Sequence, residues 1–127
     1  MTFLIVEDSR SARNIIKSYV NEIKLGQKCD FIECENGEDA LQMLQRCRVD
    51  FILLDWNLST EMTGLDVLKI IRNLDKHKNI PIIIVTGESD KANVIGSIKY
   101  GANDFVIKPI DKKLLSDKIL KALTGTK

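Results

Sequence analysis

Short apolar runs alternate with helically periodic segments five times along the chain. This alternation limits the possible fold more than any other feature. The runs lie at Phe3–Val6, Phe51–Leu54, Ile82–Val85 and Phe105–Ile107, with a weaker one at Phe31–Cys34. After the first, Ala12, Ile15, Ile16, Tyr19, Val20 and Ile23 step by 3, 1, 3, 1 and 3, which traces one face of a helix. Ser9 or Ser11 can cap its start, and Gly26 follows its end. Ala40, Leu41, Leu44 and Cys47 predict a second helix after Asn36-Gly37. Leu65, Leu68, Ile71 and Leu74 predict a third after Gly64. Ala92, Ile95 and Ile98 predict a fourth that stops at Gly101, and Leu115, Ile119 and Leu123 a fifth.

Five βα units in succession predict an α/β fold, a five-stranded parallel sheet with helices on both faces. The nearly all-apolar runs of strands 1, 3 and 4 suit strands covered on both sides. Strand 2 carries Asp30, Glu33 and Glu35 and reads as an edge. Right-handed crossovers leave few windings, and the flavodoxin-like order 2-1-3-4-5 is the economical one. Its switch point falls between strands 1 and 3, so ligands are expected at the carboxyl ends of those strands. The 127 residues suit a single domain, 1–127, whose core needs no disulfide or structural metal.

Composition removes several classes of function. With 44% hydrophobic and 29% charged residues the chain is not a disordered one. Its longest apolar stretch, Ile80 to Val85, is far too short for a membrane span. Phe3–Val6 runs straight into Glu7-Asp8, so no signal peptide is expected. Cys29, Cys34 and Cys47 lack metal-ligand spacing and read as reduced thiols of a cytoplasmic protein. The net charge of +1 hides an asymmetry. Residues 1–66 hold 7 Lys and Arg against 12 Asp and Glu, whereas residues 67–127 hold 12 against 6. A nucleic-acid binder would show a strong basic excess with aromatics interleaved, so no direct DNA binding is expected. Lys99, Lys112, Lys113, Lys118 and Lys121 read either as solvated helix faces or as a basic docking face for an acidic protein.

Strand 1 ends in Glu7-Asp8 and strand 3 in Asp55, so the predicted topology brings three carboxylates to one crevice. Like charges so placed raise one another's pKa unless a cation intervenes. One candidate is Mg²⁺, which prefers about six oxygen ligands. The other is Lys108, which follows strand 5 and opens onto the same sheet edge. Strand 4 delivers Thr86 there, a hydroxyl able to donate to an anionic oxygen. A carboxylate nucleophile, a metal site, a lysine and a hydroxyl donor are the parts phosphoryl transfer needs. Singly, each has a plainer role: Asp8 as a helix cap, Thr86 as a β-branched strand residue, Lys108 as a solvated lysine. Their joint arrival from strands 1, 3, 4 and 5 favours the shared site.

The runs Ile5-Val6-Glu7-Asp8, Asp55-Trp56-Asn57, Val85-Thr86-Gly87-Glu88 and Tyr100-Gly101-Ala102-Asn103-Asp104-Phe105-Val106-Ile107-Lys108-Pro109 carry a family resemblance. The chain resembles the response-regulator receiver domains of two-component signalling, in particular the CheY-like single-domain chemotaxis regulators, over essentially its whole length. The resemblance implies that Asp55 accepts a phosphoryl group from a histidine kinase as an aspartyl phosphate. It implies a Mg²⁺ site built from Glu7, Asp8, Asp55 and the backbone carbonyl of Asn57, with Glu7 acting through water. Lys108 would pair with the phosphoryl oxygens, Thr86 would turn its hydroxyl toward them, and Phe105 would move in behind as the switch aromatic. Asn57 and Glu88 would tune the lifetime of the phosphoryl group, and the Lys108-Pro109 peptide is expected to be cis. The implied protein is a signalling monomer rather than an enzyme, assisting only its own phosphorylation and dephosphorylation. Its output would be the face of helix 4, strand 5 and helix 5, which carries Lys91, Lys99, Lys112 and Lys118. The downstream partner is a flagellar-switch-like protein or, in a phosphorelay, a histidine phosphotransfer protein.

Two departures from the family pattern stand out. Ser59 occupies the place of a proline four residues after the acceptor, within a loop, Leu58–Thr63, one residue longer than in the chemotaxis relatives. Phe105 replaces their tyrosine. Competing readings fit less well. A phosphatase of the haloacid-dehalogenase type wants a general acid two residues after its nucleophile, where Asn57 stands, and an amide cannot protonate a leaving group. A flavin carrier needs a phosphate cradle after strand 1, where Glu7-Asp8 would repel it. A pseudo-receiver would lack part of the acid–Thr–Lys set, and this chain lacks none of it.

Overall fold

β1 (Thr2–Val6), β2 (Asp30–Cys34), β3 (Phe51–Asp55), β4 (Ile82–Thr86) and β5 (Asp104–Ile107) form one parallel sheet in the order β2-β1-β3-β4-β5. This is the expected winding, with β2 at an edge and β1 beside β3. The computed structural model describes residues 1–87 and 91–125, without the side chains of Lys91 and Asn93.

Strand parity divides the core. Leu4, Val6, Ile52, Leu54, Ile82 and Ile84 pack on one face with α2 (Gly37–Arg46), α3 (Gly64–Arg72) and α4 (Lys91–Ser97). Phe3, Ile5, Phe51, Leu53, Ile83 and Val85 pack on the other with α1 (Arg10–Asn21) and α5 (Lys112–Leu123). Successive side chains of a strand point to opposite faces, so strands covered on both sides read as continuous apolar runs.

The helices start where their capping residues dictate. Of the two candidate serines, Ser9 caps α1, its hydroxyl accepting from Ala12 N–H, and Ser11 instead shares a hydrogen bond with Ser9. Asn36 caps α2, with Glu38 and Asp39 in its first turn facing the positive end of the helix dipole. Thr63 and Asp66 form a reciprocal capping box at α3.

Two helix faces differ from the periodicity reading. On α4 the expected inward residues Ala92, Ile95 and Ile98 are exposed, Ile95 by 52%, and Val94 and Ser97 are buried instead. Among the described residues the helix has seven, Lys91–Ser97, before it tightens into a 3₁₀ turn over Ile98–Tyr100. So short a segment with apolar residues on both faces cannot fix its own phase. Ser97 tolerates burial because its hydroxyl donates to the Val94 carbonyl. On α3, Val67 joins Leu68 and Ile71 in the core, while Leu74 lies beyond the helix and is exposed.

Gly101 ends the 3₁₀ turn at φ 109°, a left-handed conformation open to glycine. A Cβ there would also lie 2.8 Å from Arg72, whose guanidinium donates to the Gly101 carbonyl at 2.8 Å and to Asn103 Oδ1 at 3.2 Å. The turn into β5 is thereby tied to the end of α3.

Candidate functional site

The ends of β1, β3, β4 and β5 open onto one crevice. Glu7, Asp8 and Asp55 each place a carboxylate oxygen within 4.8 Å of the others, and they are the only such acidic cluster among the described residues. Glu7 and Asp55 are buried, Asp55 to 4% exposure, and Asp8 is exposed at the mouth. Lys108 reaches in from the end of β5 and donates to Glu7 Oε1 at 2.5 Å, with Asp55 Oδ2 at 3.6 Å. Its backbone N–H donates to the Thr86 carbonyl at 2.7 Å, which seats the lysine at the sheet edge. The Lys108-Pro109 peptide is cis.

Electrostatics separates the three acids. Burial and the neighbouring Glu7 push the Asp55 pKa up to about 7, against opposing help from the Asn57 N–H and Lys108. Burial also works to raise Glu7, but hydrogen bonds with Asp55 and Lys108 outweigh it and hold this carboxyl below its ordinary value. The difference follows from geometry, since the ammonium lies closer to Glu7 than to Asp55. Glu7 is thus the more readily ionised of the two and Asp55 the less. Asp8 is raised by partial burial and by Glu7. Lys108 is held above its usual value because Glu7 and Asp55 overcome the cost of burying it.

Three clustered carboxylate oxygens, with one ammonium drawn into contact, form a hard-oxygen donor set short of positive charge. Such a set fits a small divalent cation that keeps several of its waters.

Thr86 is completely buried and its hydroxyl donates to the Gly87 carbonyl at 3.2 Å. Phe105 is half-buried against the core face that holds Ile84 and Val94. Ile84 pairs with Phe105 and Thr86 with Ile107, so Thr86 and Phe105 project to the same face, one step apart. Lys118 of α5 donates to the Phe105 carbonyl, pairs with Asp104 Oδ1 at 3.0 Å and stands 4.9 Å over the Phe105 ring. Asn57 donates its backbone N–H to Asp55 Oδ1 at 3.0 Å. Glu88 lies outside the described residues, as does the side chain of Lys91.

The described lysines of the expected basic face engage different partners. Lys112 pairs with Glu22 at 3.3 Å across to the end of α1, Lys118 is engaged at Phe105, and Lys99 stands 5.7 Å from the Tyr100 ring.

Three contributions escaped the sequence reading. The Ser59 side chain lies close enough to Asp8 to work against the rise of its carboxyl, so the residue in the proline's place brings a hydroxyl to the crevice. Gly64 closes the loop after β3, and a Cβ there would lie 2.7 Å from the Asp55 carbonyl and 2.8 Å from Trp56 Cα. Arg13 is the third, buried on α1 with its Nη1 donating to the Glu7 carbonyl at 2.7 Å. The Gly64 constraint was readable as a glycine opening a helix. The other two needed partners distant in sequence.

Comparison with known proteins agrees with this geometry. Residues 3–120 match the family model described as the response regulator receiver domain. The chain is 38% identical over 127 residues to the chemotaxis protein CheY1 of Helicobacter pylori, covering 99% of this chain and 98% of that protein. It is also 38% identical to a CheY homolog of Campylobacter jejuni, covering 99% of this chain and 94% of the relative. Among solved structures, the signal receiver domain of a signal transduction histidine kinase from Syntrophus aciditrophicus superposes with a TM-score of 0.81 at 30% identity, over 99% of this chain and 92% of that one. The chain is thus a CheY-like member of the response regulator receiver domain family.

Proposed function

We propose that this receiver, a single domain over residues 1–127, takes a phosphoryl group on Asp55 from a histidine kinase. Family membership makes it a phospho-accepting signalling protein of chemotaxis type rather than a classical enzyme. The observation that carries the assignment to Asp55 is the buried acid at the end of β3, beside Glu7 and within 3.6 Å of Lys108. In the transfer, a carboxylate oxygen of Asp55 attacks phosphorus and the nitrogen–phosphorus bond of the donor breaks. Glu7, Asp8, Asp55 and the Asn57 carbonyl would hold Mg²⁺, which supplies positive charge for an incoming dianion. Lys108 then exchanges Glu7 for the new phosphoryl oxygens, and Thr86 turns its hydroxyl from Gly87 toward them. Asn57 and Glu88, each two residues beyond a group that faces the phosphate, tune how fast water removes it. Label transferred from a phosphohistidine donor to wild type, and absent in Asp55→Asn, tests the reading.

Lys108→Ala is expected to keep the fold and the metal site but to separate phosphorylation from output. The ammonium is the fixed cation that a new phosphoryl charge can recruit through a charge-assisted hydrogen bond. Affinity for an output partner would be compared for phosphorylated wild type and mutant. An unchanged phosphorylation-dependent gain would refute the role.

The output surface is the face of α4, β5 and α5. Ile95 and Ile98 are exposed there, an apolar strip that suits docking to a protein partner, the flagellar-switch class in a chemotaxis pathway. No described helix is long and apolar enough to cross a membrane, and the proposed site of action is the cytoplasm. Movement of the Thr86 hydroxyl vacates space beside Phe105. The ring gains part of the roughly 1.5–3 kcal/mol that full burial of such a side chain supplies. Ring-proton NMR with and without a phosphoryl mimic is expected to report a partly exposed ring becoming fully buried. A single position in both states would place the switch in the backbone after Thr86.

A further inference from the structure

We propose that Arg13 is a positioning residue for the carboxylate crevice, fixing the peptide that joins its first two acids. The inference rests on the crevice being a Mg²⁺ site. Arg13 is only 8% exposed, although Arg10 at the start of the same helix is exposed and Lys17 one turn on is only partly buried. Each nitrogen of its guanidinium faces a different group. Nη1 donates to the Glu7 carbonyl at 2.7 Å, Nε donates to Glu33 Oε1 at 3.0 Å, and Nη2 lies 3.8 Å from Glu35 Oε1. Lys17, one turn further along α1, takes the second Glu33 oxygen at 2.9 Å.

Burying a guanidinium costs free energy unless its charge is paired and its N–H groups are bonded. Here the pairing comes from β2, but the most buried bond goes to a neutral acceptor, the carbonyl between Glu7 and Asp8. β1 ends at Val6, so this peptide has left the strand that would otherwise orient it. The direction of the Glu7 carbonyl sets the dihedral angles on either side of that peptide, and hence where both carboxylates project. A planar fork with a fixed donor geometry can hold a carbonyl and a carboxylate at once, and an ammonium cannot reproduce the span. Glu33 and Glu35 anchor the fork from behind, which makes edge strand β2 the support of the site.

Charge and position predict effects of opposite sign. A cation beside a metal site repels the metal, so losing it would tighten Mg²⁺ binding if charge alone mattered. A positioning role predicts weaker binding, since residues that orient metal ligands contribute about tenfold or more to affinity. Mg²⁺ would be titrated calorimetrically into wild type, Arg13→Met and Arg13→Lys, with thermal unfolding of each metal-free protein alongside. Both variants are expected to bind Mg²⁺ about tenfold more weakly than wild type. Glu33→Gln should weaken binding in the same direction by less, and it serves if Arg13→Met fails to fold. Equal or tighter binding by folded variants overturns the inference, as does wild-type affinity in Arg13→Lys, where charge alone would suffice. Wild type that fails to bind Mg²⁺ overturns the metal reading itself, and this inference with it.

Discussion

Asp55→Asn is expected to reduce phosphoryl labelling by a small acyl phosphate donor to background, while wild type is labelled only with Mg²⁺ present. The nucleophile must be an anion, and burial together with Glu7 raises the Asp55 pKa to about 7 in the metal-free protein. Lys108 gives only part of the missing positive charge, because it stands nearer Glu7 than Asp55. A divalent cation in the cluster stabilises the ionised form of Asp55 and offsets the charge of the approaching donor. Asparagine keeps the size and much of the hydrogen bonding of the acid but is no substitute as a nucleophile. Glu7 and Asp8 remain in Asp55→Asn, so any label it retained would locate the acceptor elsewhere in the cluster. Retained label would remove Asp55 from the assignment, and equal labelling of wild type with and without the metal would remove the role given to Mg²⁺.

The residues of this site were legible because chain topology gathers them. A βα repeat with an acidic second strand allows few windings, and the chosen one brings Glu7, Asp8, Asp55, Thr86 and Lys108 to one edge before any side chain is placed. Their electrostatic roles were not legible. Which of Glu7 and Asp55 ionises more readily depends on burial and on their contacts with each other and with Lys108, which no spacing encodes. Arg13 was hidden for a related reason. It lies on an otherwise ordinary amphipathic helix, and its partners come from the residue after β1 and from β2. The phase of α4 was misread because Ile95 and Ile98 are exposed while Ser97 is buried. Hydrophobic periodicity assumes that apolar faces point inward, and a surface used for docking breaks that assumption. The same misreading therefore singles out the strip on α4 as a surface with something to cover.

The metal-free protein is expected to lose stability as pH rises from about 4 to about 7, and Asp55→Asn to escape that loss. Asp55 ordinarily titrates near 3.8, and in the folded chain near 7. Between those values the unfolded chain has released this proton while the folded chain still holds it. Unfolding then releases a proton, so raising the pH favours the unfolded state, by up to about 1.4 kcal/mol for each pH unit. The stabilisation from the raised pKa is complete below the unfolded value and gone above the folded one. Over the whole window the cost is at most about 4 kcal/mol, on the order of a thousandfold in the folding equilibrium. Asparagine removes the titration while leaving Lys108 paired with Glu7. Urea unfolding of both proteins in a chelator, from pH 4 to pH 8, reads the effect directly. The two should nearly coincide at the acid end, and the variant should become the more stable as neutrality is passed. Adding Mg²⁺ at pH 8 should stabilise wild type more than the variant, since the acid that is a liability when buried alone becomes a ligand. Parallel curves across the whole range would mean that Asp55 titrates as an ordinary carboxyl, and the crevice would then lack the electrostatic tension inferred for it.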